Sequence, residues 1–155
     1  KTLIVLVDEI YLGPAIGLFV NYYEPDPRFG VYRGLEGFSK KINILRKAVE
    51  IMEKVNQGEE VTIAGHKVTR AEQYQLGRYD VIHEWSGFPD EGVKFYFDDE
   101  YSWISIRPSG NQQAHRFYTQ FRFVGVTREN IFVKKKEGRR IVREVVKDLR
   151  RMVGA

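Results

Sequence analysis

Between Val93 and Phe123 the side chains alternate in a way that leaves few folds open. Val93, Phe95 and Phe97 are separated by Lys94 and Tyr96, and further on Phe117, Thr119, Phe121 and Phe123 oppose Arg116, Tyr118, Gln120 and Arg122. Successive side chains of a strand point to opposite faces, so a two-residue period commits both stretches to strands with one dry and one wet face. Asp98-Asp99-Glu100 supplies turn chemistry for a hairpin from the first stretch into Tyr101–Arg107, and Pro108 to Gln113 reads as a loop into the second. The Asp98–Glu100 cluster is read as that solvated turn, since alternating side chains diverge too far to pool their carboxylates.

A sheet with one dry face needs a cover, and the sequence offers two helices. Ile42, Leu45, Val49, Met52 and Val55 follow a helical period, which predicts a helix over residues 40–57 with Ser39 as its cap and Gly58 at the C′ position. Near the end, Ile141, Val142, Val145, Val146, Leu149 and Val153 lie on one face of a second helix. That helix carries most of the charge. From Lys134 to Arg151 nine basic residues stand against three acidic ones, a local +6 in a chain whose net charge is +4. Opposite the apolar stripe, these cations read as a solvated helix face before they read as a binding surface.

Elsewhere the pattern is less decisive. Residues 1–12 suit a helical face or a buried strand equally. Leu18 to Glu24 is apolar and aromatic enough for a strand, and Pro25-Asp26-Pro27 stops it. Glycines at 30, 34 and 37 make the stretch that follows the best candidate for a domain boundary or hinge. Short strand signals appear at Val61–Ile63 and Tyr79–Ile82. Strands bracketed by an early and a late helix, without strict βαβ alternation, point to an α+β fold: an antiparallel sheet with one face covered by two helices.

Composition narrows the chemistry. The 155 residues contain no cysteine, which excludes a disulfide scaffold, a Cys-ligated zinc site, an iron–sulfur cluster and a cysteine nucleophile. A cysteine-free chain fits a reducing cytosol, and an uncrosslinked secreted domain equally. With 43% hydrophobic residues, intrinsic disorder is a poor fit. No apolar run approaches the roughly 18 residues of a membrane-spanning helix. His66, His83 and His115 stand far apart and form no metal-binding motif, and no GxGxxG, GxxxxGK[ST] or GxSxG motif occurs.

One loop has a chemical shape. Arg107-Pro108-Ser109-Gly110-Asn111-Gln112 sits between two strands. Proline fixes one φ angle and glycine admits the left-handed conformation that turns successive N–H groups inward, forming a nest that binds anions. A guanidinium forks onto two phosphate oxygens, while the Ser109 hydroxyl and the Asn111 amide add donors. None of these groups needs to move a proton, so the loop suits holding a phosphate rather than breaking a bond.

The stretch from Gly92-Val93-Lys94 through Trp103-Ile104-Ser105-Ile106-Arg107-Pro108-Ser109-Gly110 to Arg116-Phe117-Tyr118 resembles the C-terminal domain of the α-D-phosphohexomutases, the family of phosphoglucomutase and phosphomannomutase. That domain carries an R-P-S-G-T-E-P loop followed by R-x-Y. Arg107, Pro108, Ser109 and Gly110 match the loop, and Arg116 and Tyr118 fall at the family's offset. Asn111-Gln112-Gln113 replaces Thr-Glu-Pro, which removes a hydroxyl and an acid. The segment Lys1–Tyr11 resembles the late helix of the family's third domain, and the absence of a methionine at Lys1 fits a start inside a longer enzyme.

The resemblance implies a TATA-box-binding-protein-like sheet of about four strands under two helices. It implies residues 1–24 as the tail of a third domain, 25–37 as a linker that lets the last domain swing, and 38–155 as the phosphate-binding domain. It implies that Arg107, Ser109, Gly110 and Asn111 hold the substrate's phosphate, with Arg116 as a helper. The family's T-A-S-H-N-P phosphoserine loop and D-x-D-x-D-R metal loop are both missing; Gly58-Glu59-Glu60 begins like the sugar loop G-E-[EM]-S-G but continues Val61-Thr62. The chain is therefore expected to be inactive alone. Its implied partners are the N-terminal domains of the enzyme and a hexose phosphate, with Mg²⁺ bound elsewhere in the parent enzyme, in the cytoplasm and without a membrane. The competing expectation is a basic module for nucleic acid or an acidic partner, resting on the +6 helix, on Arg116 and Arg122 along one strand face, and on abundant Tyr and Phe.

Overall fold

A computed structural model describes residues 10–11, 17–25, 34–74, 92–108 and 115–155. In chain order the elements are β1 (Ile10–Tyr11), β2 (Leu18–Pro25), α1 (Gly34–Asn56), β3 (Thr62–Ile63), β4 (His66–Lys67), β5 (Arg70–Tyr74), β6 (Gly92–Tyr96), β7 (Trp103–Pro108), β8 (His115–Phe123) and α2 (Ile131–Val153). The architecture is α+β. Six strands form an antiparallel sheet in the order β1-β2-β8-β7-β6-β5, and β3 and β4 form a separate small hairpin.

The alternation that opened the sequence reading defines the two faces. Val93, Phe95 and Phe97, Ile104 and Ile106, Phe117 and Phe121 are buried on the inner face, joined by Leu18, Val20 and Tyr22 of β2. Their hydrophobic cluster also takes in Ile44, Ala48 and Met52 of α1 and the stripe of α2, so both helices cover this one face. All six apolar residues expected on the second helix are buried there. On the first helix the buried line runs through Ile44, Leu45, Ala48 and Met52, while Ile42, Val49 and Val55 are only half-buried. The face is thus rotated slightly from the one read in the sequence.

Several expectations are corrected. The sheet has six strands rather than about four. One addition is β5, whose Arg-Ala-Glu-Gln-Tyr sequence buries only the small Ala71 on the inner face and so gives little hydrophobic period to read. The others are the two-residue β1 and β2, both in residues expected as the tail of a preceding domain. β2 pairs with β8 over its whole length, from Leu18 opposite Phe123 to Pro25 opposite Arg116. The core therefore extends N-terminal to the expected 25–37 linker, of which 26–33 lie outside the described residues. Ile10–Tyr11 are strand, not the helix implied for that segment. The strand signal at Tyr79–Ile82 lies outside the described residues.

Helix boundaries follow local chemistry. α1 begins at Gly34, so Ser39 lies inside it rather than capping it; Glu36 in the first turn complements the helix dipole and pairs with Lys40 at 3.2 Å. It ends as expected at Gly58 (φ 85°), where the Gly58 N–H donates to the Val55 carbonyl and the Glu59 N–H to the Lys54 carbonyl. Ahead of α2, the Thr127 N–H donates to Asn130 Oδ1 (2.8 Å) and the Asn130 N–H to Thr127 Oγ1 (3.4 Å), a reciprocal pair in the turn that enters the helix.

α2 lies close against the sheet. A Cβ on Gly138 would stand 2.6 Å from Val20 Cγ2 and 2.9 Å from a Phe123 ring carbon. The turn between β3 and β4 places Ala64 at φ 50°, and its N–H donates to Asp148 Oδ2 of α2 at 2.7 Å. That bond and the Arg151 guanidinium, 2.7 Å from Oδ1, hold the Asp148 carboxyl below its ordinary pKa even though burial acts to raise it.

Candidate functional site

The β7–β8 ladder carries the loop singled out by its chemistry. Its last pairs are Ile106 with Phe117, Arg107 with Arg116, and Pro108 with His115. Residues directly opposite in an antiparallel pair share a face, with Cα atoms about 4.5–5.5 Å apart. Arg107 and Arg116 thus stand side by side on the outer face, at the mouth of the loop, Arg107 exposed and Arg116 half-buried. Ser109, Gly110 and Asn111, the other expected phosphate ligands, lie outside the described residues.

The mouth is built from the inside. His115 is fully buried beneath it and neighbours Phe117 of the core two residues on, so the returning arm of the loop starts from a fixed point. On the other side Gly92 opens β6 at φ 104°, and a Cβ there would fall 1.9 Å from the Ile106 carbonyl oxygen and 3.0 Å from the Arg107 Cα. Only glycine lets β6 lie this close to Arg107.

Next to the two arginines the outer face continues through residues with polar ends. Ser105 opposes Tyr118, and Tyr118 opposes Tyr23 of β2. The two tyrosine rings lie 4.9 Å apart, tilted by 33°. Burial raises the Tyr23 phenol above its ordinary pKa, the Arg116 guanidinium pulls it back, and the Tyr118 phenol adds to the rise. The phenol is therefore protonated at neutral pH, a hydrogen-bond donor. The sequence reading assigned no role to Tyr23; its place in the alternation of Leu18–Glu24 was the available signal, and it needed β8 as partner to acquire meaning.

The rest of the outer face is occupied differently. The Lys94 ammonium sits 4.1 Å from the Trp103 ring centre and 4.7 Å from that of Tyr96, and the Arg70 guanidinium carbon lies 3.8 Å from the Tyr96 ring centre. Arg122 lies 4.3 Å over Tyr101 and 3.4 Å from Asp99. The acidic cluster behaves as a turn: Asp99 Oδ1 accepts the Tyr101 and Ser102 N–H groups, each at 2.7 Å. The basic face of α2 contains its own pairs, Lys134 with Glu137 at 3.0 Å and Arg140 with Glu144 at 2.8 Å. A concavity along that helix is lined by Val133, Lys136, Arg139, Arg143 and their neighbours, and by neither Arg107 nor Arg116.

His66 packs edge-on against Phe97 and Phe121, and His83 lies outside the described residues. Among the described residues no three His, Asp or Glu side chains are grouped to hold a metal ion, and no helix is long and apolar enough to cross a membrane. Searched against protein-family models and against curated proteins, the chain matches none.

Proposed function

We propose that this chain is the substrate-phosphate-binding, C-terminal part of an α-D-phosphohexomutase, acting in the cytoplasm on a hexose phosphate. The observation that carries the reading is the cross-strand pairing of Arg107 with Arg116 at the mouth of the Arg-Pro-Ser-Gly loop. It concentrates two guanidinium groups where the loop's own backbone donors would meet an anion. The antiparallel sheet under two helices is compatible with the TATA-box-binding-protein-like domain that this reading requires.

In the parent enzyme the reaction interconverts hexose 1-phosphate and hexose 6-phosphate. The phosphoserine and the Mg²⁺ that supply phosphoryl transfer would belong to other domains, so this chain performs no chemistry alone. Its part is to clamp the phosphate that is not being transferred. Binding energy from that remote group orients the reacting end of the sugar and favours closure over it. Because β2 is built into the sheet, the pivot for closure does not belong in the 25–37 stretch. Replacing Arg107 by Ala in the parent enzyme should raise KM and lower kcat together; unchanged kinetics would refute the clamp.

The alternative, a module for nucleic acid or an acidic partner, draws on the cations and aromatic rings of the outer face. It has less support there. Lys94, Arg70 and Arg122 already lie over the rings of Tyr96, Trp103 and Tyr101, the surfaces on which bases would have to stack.

A further inference from the structure

We infer that Tyr23 and Tyr118 form the second wall of the phosphate clamp, donating their hydroxyls to the terminal oxygens of a phosphate monoester dianion. The inference rests on the phosphate reading of Arg107 and Arg116, and it adds a strand, β2, that the motif does not contain.

The argument begins with register. Tyr118 lies two residues beyond Arg116 on the same face of β8, roughly 7 Å along the strand. Tyr23 is its direct partner on β2, and Arg107 is the direct partner of Arg116 on β7. Three adjacent strands thus contribute four long side chains to one corner of the outer face. The rings of Tyr23 and Tyr118 meet at 4.9 Å, a contact that phenylalanine would make as well, and the inner face does use phenylalanine at 95, 97, 117 and 121. What tyrosine adds is a hydroxyl. The Tyr23 phenol interacts electrostatically with both the Arg116 guanidinium and the Tyr118 phenol. Tyr96, Trp103 and Tyr101 each carry a cation over the ring; among the described residues neither Tyr23 nor Tyr118 does.

The ligand class follows from the donors. A single arginine fork satisfies two oxygens. A monoester dianion presents three terminal oxygens and two charges, so two guanidinium groups and two hydroxyls match it. A diester offers only two free oxygens and one charge, and leaves donors without acceptors.

The test is a titration of this 155-residue chain with glucose 6-phosphate and, separately, with dimethyl phosphate at pH 8. Tyr23→Phe and Tyr118→Phe preserve the ring contact. Each is expected to weaken glucose 6-phosphate binding about 10-fold, the loss of one charged hydrogen bond, with the circular dichroism melt unchanged and the weak dimethyl phosphate binding unaffected. If a variant melts early, the wild-type chain still decides: glucose 6-phosphate should perturb the tyrosine ultraviolet spectrum, and no perturbation at saturation overturns the inference. Full affinity in both Phe variants, with binding lost in Arg107→Ala, overturns the tyrosine wall and leaves the arginine clamp standing. Full affinity in Arg107→Ala, or no binding by the wild-type chain, overturns both.

Discussion

The turn that leads into β7 and the loop that leaves it have opposite electrostatic designs. At the first, Asp99 caps two backbone N–H groups with one carboxylate oxygen and meets Arg122 with the other, while the Arg122 guanidinium lies over Tyr101. At the second, Arg116, on the same face of the same strand as Arg122, stands in register with another arginine. The first end sets its arginine against Asp99; the second sets two arginines in register beside two tyrosines. Like charges directly opposite each other on a sheet repel, and an anion bound between Arg107 and Arg116 would lessen that repulsion.

The largest expected effect tests how firmly that second end is built. Gly92→Ala places a Cβ against the Ile106 carbonyl at a positive φ, and should cost about 3–4 kcal/mol in a denaturant melt. A loss under 1 kcal/mol would mean that β6 does not press on β7 there. Next comes the direct comparison of the two arginines. Arg107→Ala should reduce glucose 6-phosphate affinity about 100-fold, as for the loss of a bidentate charged contact. Arg122→Ala should leave that affinity unchanged and cost at most about 1 kcal/mol of stability. Equal effects from both would erase the distinction between the ends.

A smaller effect belongs to the first end. Asp99→Ala frees the Tyr101 and Ser102 N–H groups and should destabilise the fold by about 1–2 kcal/mol without touching phosphate binding. Smallest is the effect of the β3–β4 turn, where a carboxylate again receives a backbone N–H. The folded pKa of Asp148 is depressed, so its contribution is complete above the unfolded value near 3.9 and is lost as pH falls through the lower folded value. Asp148→Asn should flatten stability against pH in that acidic window, measured by thermal melts from about pH 5 to pH 2. Ala64→Gly should gain about 1 kcal/mol by relieving the positive φ.

What could be read from the sequence, and what could not, follows from the range of each signal. The periods at 93–97, 117–123 and 141–153 are local and strong, so the strands, their dry face and the covering helix were all legible. Partnership is not local. Nothing in Leu18–Glu24 says that its neighbour is Phe117–Phe123, and without that pairing neither the width of the sheet nor the place of Tyr23 can be derived. β5 went unread because an edge strand with one small buried residue carries almost no pattern. At the site, Arg107 and Arg116 were legible as motif residues, but their standing shoulder to shoulder depends on the β7–β8 register.

The pairing of β2 with β8 also has a kinetic side. It joins the first long strand of the sheet to the last, and α2 can dock only once that seam exists, because Gly138 seats against Val20 of one strand and Phe123 of the other. Contacts so distant in sequence must overcome a large loop-closure entropy before they return any stabilisation. The middle of the sheet, β6 and β7, can form early from a local hairpin, whereas the corner that would grip phosphate is assembled last, from both ends of the described chain. A polypeptide still lacking β8 would hold Arg107 and Tyr23 in hand with nothing to bring them together.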